Sequence, residues 1–122
     1  MRKPLALAFA SLLSGAAHAQ DVRGTWEVVA TRGGETHPAT WQVGSEGDNL
    51  FGVSQWSCCP GFRVDRLTGV IEGGRVELTR HIVKQGGSSG SQLYVGNVSG
   101  NSISGTWSGL GGNGNWTAKI KR

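Results

Sequence analysis

The chain has only two cysteines, and they are neighbours: Cys58 and Cys59, in the stretch QWSCCPGFRVD at 55–65. Adjacent thiols have three options: a vicinal disulfide, a reduced dithiol, or bonds to another chain. Across a trans peptide neighbouring Cα atoms lie about 3.8 Å apart, whereas a relaxed disulfide spans roughly 4.4–6.8 Å. On a regular strand the two side chains would also point to opposite faces. A Cys58–Cys59 bond therefore demands a distorted turn, and Pro60–Gly61 follow directly. An oxidising compartment favours pairing, and no third cysteine competes. Such a ring would stiffen the turn between Trp56 and Phe62. Its strain would make it easier to reduce, so a redox switch stands beside a binding platform as a sharper alternative to a stiffened turn.

Other chemistry finds little support. Beyond the leader the histidines are His37 and His81, with no C-x-x-C or H-x-x-x-H spacing. Structural zinc usually takes four well-spaced ligands, so no metal is expected. A soft ion such as Cu(I) on the cysteines and one histidine is the remaining option. No G-x-S-x-G occurs, and two histidines leave few partners for a triad. Asp65, Glu72 and Glu77 are spread over different segments and read as isolated surface acids. The glycine-rich GLGGNG at 109–114 precedes no helix that would present its N-terminus to a phosphate. No catalytic residue, cofactor or metal is nominated, and the chain reads as a non-enzyme.

The aromatics carry the strongest signal, with five tryptophans in 122 residues. Each brings a large apolar area and an N–H that wants a partner. Trp41 and Trp56, with Phe62 and Tyr94, are candidates for a concave pocket or a partner-binding surface. Cys58, Cys59 and Arg63 belong to the same rim, where Arg66 and Asp65 add charge. Trp26, near the start, suits a structural plug.

The elements that must position these residues are strands. Twenty-one glycines and short apolar–polar alternations leave no helical period. The pattern predicts strands at 24–32, 39–44, 50–56, 62–72 (with a possible break at Asp65–Arg66), 75–83, 91–98, 102–108 and 115–122. Gly73–Gly74 and Ser99–Gly100–Asn101 read as hairpin turns. GGSSG at 86–90 and GLGGNGN at 109–115 read as flexible loops. The expected fold is all-β, an antiparallel up-and-down meander of about eight strands in a small closed or nearly closed barrel. A two-sheet β-sandwich is the alternative. Gly52, Gly69, Gly96 and Gly105, inside strands, suit the bends that closure needs.

The first residues read as an export signal: Arg2 and Lys3, then an apolar run, then Ala17-His18-Ala19 before Gln20. The run is too short to span a membrane. Cleavage leaves a single domain, 20–122, with no membrane span and a bacterial periplasmic or secreted destination. The formal +4 of the whole chain falls to +2 when Arg2 and Lys3 leave. That charge is interspersed, apart from KIKR at the C-terminus, and gives no nucleic-acid footprint.

Gly24-Thr25-Trp26 resembles the G-x-W opening of lipocalin-like barrels. The resemblance implies that Trp26 closes one end of the barrel and that a basic residue of the last strand, Lys119 or Lys121, packs over it. The eight-strand plan is also similar to avidin-type barrels and to small periplasmic inhibitors of bacterial metalloproteases. The expected function is non-catalytic binding of a small apolar or amphipathic ligand. The alternative is a protein-binding module that presents the Cys58–Cys59 turn to an extracytoplasmic partner.

Overall fold

Alternation with a period of two places every second residue of each strand on one face, and closing the sheet turns that face into an enclosed core. The computed structural model describes residues 21–56, 63–83 and 89–122, with only the backbone described at Trp56, Arg63, Val83 and Ser89. It contains β1 (Gly24–Arg32), β2 (Glu35–Glu46), β3 (Asn49–Trp56), β4 (Arg63–Glu72), β5 (Arg75–Val83), β6 (Ser89–Ser99), β7 (Ser102–Gly109) and β8 (Gly112–Lys121). Each strand pairs antiparallel with the next, and β1 also pairs with β8, so the eight form a closed barrel. The β1–β8 ladder, from Thr25↔Lys121 to Ala30↔Trp116, rules out the sandwich. No helix among the described residues is long and apolar enough to cross a membrane.

Several boundaries differ from the sequence reading: β6 already starts at Ser89, inside the stretch 86–90 expected as a loop, and β2 runs on to Glu46 rather than 44. Strand β2 starts at Glu35 rather than 39, because Gly33 and Gly34 take φ of 56° and 91° and turn the chain in two residues. The glycine-rich 109–115 stretch is mostly strand: Gly109 ends β7, Gly112 opens β8, and Leu110–Gly111 form the turn. Strand β4 runs unbroken through Asp65–Arg66. The hairpins at Gly73 and Gly100 have nearly equal φ, 58° and 62°.

Aromatic rings fill the middle of the barrel. Trp26, Trp41 and Trp116 stack with centroids 5.7–6.4 Å apart. Tyr94 meets Trp41 and Trp116 edge-on at 5.0 and 5.5 Å, and Trp107 stacks on its other side at 6.0 Å. Such pairs contribute roughly 0.5–1.5 kcal/mol each beyond the area they bury. Towards the end that carries the turns at 47–48, 73–74 and 100–101, the core continues as Val43, Leu50, Ile71, Val76, Ile103 and Ile120.

Rings of this size fit only where neighbouring inward positions are empty. Gly96 and Gly105 pair directly, and Gly105 pairs with Trp116. A Cβ on Gly96 would lie 3.0 Å from the Trp116 ring, and one on Gly105 would lie 1.8 Å from the Val95 carbonyl oxygen. The second contact is with backbone and cannot be relieved by a rotamer change. Gly105→Ala is expected to destabilise the protein by about 1–3 kcal/mol, as overpacking does, which chemical denaturation will measure.

Candidate functional site

Among the described residues the barrel interior is apolar except for one layer. Ser54, Asp65, Arg80 and Gln92 are buried, and each takes the inward position of its strand. Ser54 lies two residues before the end of β3 and Asp65 two residues after the start of β4, directly opposite each other. Arg80 and Gln92 likewise face each other across β5 and β6. The layer therefore sits just inside the end of the barrel where segment 57–62 joins β3 to β4. Trp41 extends it, because it is the direct partner of Ser54 on β2.

A hydrogen-bond network organises most of this layer. Arg80 Nε donates to Asp65 Oδ2 at 2.8 Å, and Arg80 Nη2 lies 2.5 Å from the same oxygen. Arg80 Nη1 donates to Gln92 Oε1 at 2.7 Å, and the Tyr94 hydroxyl donates to that oxygen at 2.8 Å. The Gln92 amide nitrogen donates to the Leu110 carbonyl at 2.7 Å, which ties the network to the β7–β8 turn. Arg32 donates to the Gly111 carbonyl from the other side at 2.6 Å. Gln92 thus has a settled orientation, with its oxygen accepting from two donors.

Two groups are left out. Trp41 Nε1 and Ser54 Oγ are fully buried, and among the described residues neither has a hydrogen-bond partner. Other indoles of the core are satisfied: Trp26 donates to the Val22 carbonyl at 2.7 Å, Trp107 to that of Thr31 at 3.0 Å and Trp116 to that of Val95 at 3.0 Å. Towards this end the buried residues of β1–β3 include the small Ala30, Ala39 and Ser54.

The sequence candidates divide. Trp41 and Tyr94 belong to this layer and to the aromatic stack beneath it, as core residues rather than a rim. Trp56 and Arg63 pair with each other in the β3–β4 ladder, beside the join. Cys58, Cys59 and Phe62 lie outside the described residues. Trp26 is fully buried, next to Trp41. The expected basic partner is not over it: Ile120 faces Trp26 on the last strand, while Lys119 is exposed opposite Glu27 and Lys121 bridges Glu27 at 3.3 Å. Gly24 has φ of 138° and lies against the Lys121 carbonyl, too close for a Cβ. Asp65 is not a surface acid but half of a buried ion pair, whereas Arg66 faces outward. Ser54, Arg80 and Gln92 are not among the sequence candidates, although each breaks an inward series that the sequence displays, such as Val76, Leu78, Arg80, Ile82. No cluster of metal-ligating side chains occurs among the described residues.

No protein-family model matches this chain, and none of the curated proteins does either.

Two outcomes test its physics. Removing one member of a buried ion pair leaves an uncompensated charge. Arg80→Met is expected to destabilise by about 3–5 kcal/mol, and adding Asp65→Asn to restore more than half of that in urea denaturation. Burial pushes the Tyr94 phenol above its ordinary value of 10.0, against a weaker opposing effect of Arg80. Because its folded pKa is raised, its contribution to stability is intact below pH 10 and is lost as pH rises through the folded value. Tyr94 is the only tyrosine, so phenolate absorbance should appear only above that pH, together with unfolding. Ionisation at the ordinary value in a folded barrel would contradict the burial.

Proposed function

We propose that this is an exported, non-catalytic barrel, lipocalin-like in plan, that takes a small amphipathic ligand into the polar end of its interior. The observation that carries the proposal is the buried pair of unpartnered groups, Trp41 Nε1 and Ser54 Oγ, in a layer whose neighbours are hydrogen-bonded. A buried polar group without a partner costs about 1–3 kcal/mol, and two of them on paired residues of β2 and β3 are a liability unless something else completes them. Aromatic walls beneath and polar groups above suit a ligand with both characters. The leader-like residues 1–19 support export to the periplasm or the medium. Such a compartment is oxidising and would favour pairing of Cys58 with Cys59.

A second proposal, a protein-binding module, has its own support. Phe51, Val53, Val64 and Val70 are exposed on the outer faces of β3 and β4, with Phe51 at 51% and Val64 at 53%. These are the strands that segment 57–62 joins.

Ser54→Ala separates structure from function. If the hydroxyl serves a ligand, its removal raises the stability of the ligand-free protein by roughly 1–2 kcal/mol, since the unmet desolvation cost disappears. The same variant should retain less of any small molecule that native mass spectrometry finds on the protein purified without denaturant. A destabilised variant, and a wild-type protein that neither carries nor takes up a small molecule, would refute ligand binding.

A further inference from the structure

We propose that the outer wall carries a site of its own, a groove for a small aromatic carboxylate. It lies outside the barrel and does not depend on the interior reading.

The groove crosses four neighbouring strands. Lys121 of β8 pairs with Thr25 of β1, Thr25 with Gln42 of β2, and Gln42 with Val53 of β3. Three strand spacings make that row about 14 Å long. In the next row Gly44 pairs with Phe51. A Cβ on Gly44 would lie 2.8 Å from Cε1 of the Phe51 ring, so the bare backbone there seats the ring. These residues line an open depression of about 490 Å³, the size of a small-molecule site.

Its lining has two characters. Phe51 and Val53, 51% and 37% exposed, form an apolar end. Lys121 and Arg122 form a cationic end, and no acidic side chain lines the groove. Between them the Thr25 hydroxyl donates to Gln42 Oε1 at 2.9 Å. Both cations keep donors to offer. Arg122 donates to Asn101 Oδ1 and to the Asp21 carbonyl, which are neutral acceptors, and a guanidinium has more N–H groups than these contacts use. Lys121 bridges Glu27 at 3.3 Å with both side chains more than half exposed, and such a pair contributes little. The Asp21 carboxylate is held by Arg23 through both oxygens. A ligand that matches this lining lays a flat apolar ring on Phe51 and Val53 and turns an anion toward Lys121 and Arg122. A carboxylate suits the guanidinium fork.

The test titrates the mature protein with phenylbutyrate, its neutral amide, phenylbutylammonium and ring-free butyrate, following backbone amide and indole N–H resonances. Phenylbutyrate is expected to shift the amides of Thr25, Gln42, Gly44 and Val53 saturably and to leave the Trp41 and Trp116 indoles in place. The other three probes should bind roughly fivefold more weakly or worse, for want of two exposed ion pairs or of the ring contact. Lys121→Gln with Arg122→Gln should weaken phenylbutyrate by roughly the same factor, as should Phe51→Ser, with urea denaturation confirming the fold. Lys121→Gln alone replaces the double variant if loss of the Arg122 contacts loosens the barrel. Phenylbutyrate that fails to bind, binds no better than its amide, or binds these variants as tightly as the wild type would overturn the inference. So would shifts confined to the interior indoles, which would support the interior site instead. Self-association of the wild type that Phe51→Ser abolishes would place a second copy in the groove and overturn it as well. Each of these failures leaves the interior proposal to its own test.

Discussion

Everything in this barrel depends on how its middle is filled. Eight short strands enclose a narrow interior, and here the filling is a stack of indoles with one phenol edge-on among them. That choice imposes the others. Trp116 needs glycine at 96, and the close approach of neighbouring strands needs glycine again at 105 and 52, where a Cβ would lie 1.8 Å from the Val95 and 1.9 Å from the Gln42 carbonyl oxygen. The glycines that appear in the sequence as weak points in strands are where neighbouring backbone or, at Gly96, the Trp116 ring leaves no room for a side chain.

The stack also divides the interior. On one side aliphatic side chains complete an ordinary core. On the other, the rings form the floor of a layer where charge and amide groups are bonded to one another. A buried ion pair is a poor source of stability, because desolvation consumes most of the attraction. Apolar residues at 54, 65, 80 and 92 would have been the simpler solution for folding alone. Trp41 joins the two halves: its ring belongs to the stack, and it pairs with Ser54 of the layer on β3.

The architecture was legible because it is written in alternation and turns. All eight strands were expected, and two of the largest boundary shifts, at 33–34 and 109–112, came at glycines whose positive φ replaced an assumed loop with a two-residue turn. The site was less legible for a physical reason. Sequence scanning weights residue types that are rare, so the cysteines and tryptophans attracted the argument, whereas the interior polar groups are common types whose meaning depends on parity. Arg80 becomes conspicuous only once Val76, Leu78 and Ile82 are known to face inward with it. Asp65 looked like a rim charge because Arg63 and Arg66 flank it in sequence, yet its partner comes from the neighbouring strand. The basic cover expected for Trp26 failed through parity as well: Lys119 and Lys121 share a face, and it is the outer one.

Closure of the β1–β8 ladder has a further consequence for how this molecule can be approached. An open sheet offers an edge on which an extended peptide can be added as one more strand, with main-chain hydrogen bonds supplying affinity independently of sequence. The eight strands here spend both edges on each other. Recognition of the barrel wall must therefore be read through side chains alone, which makes it sensitive to single substitutions on the outer face and protects the protein from the edge-to-edge association that links sheets into aggregates.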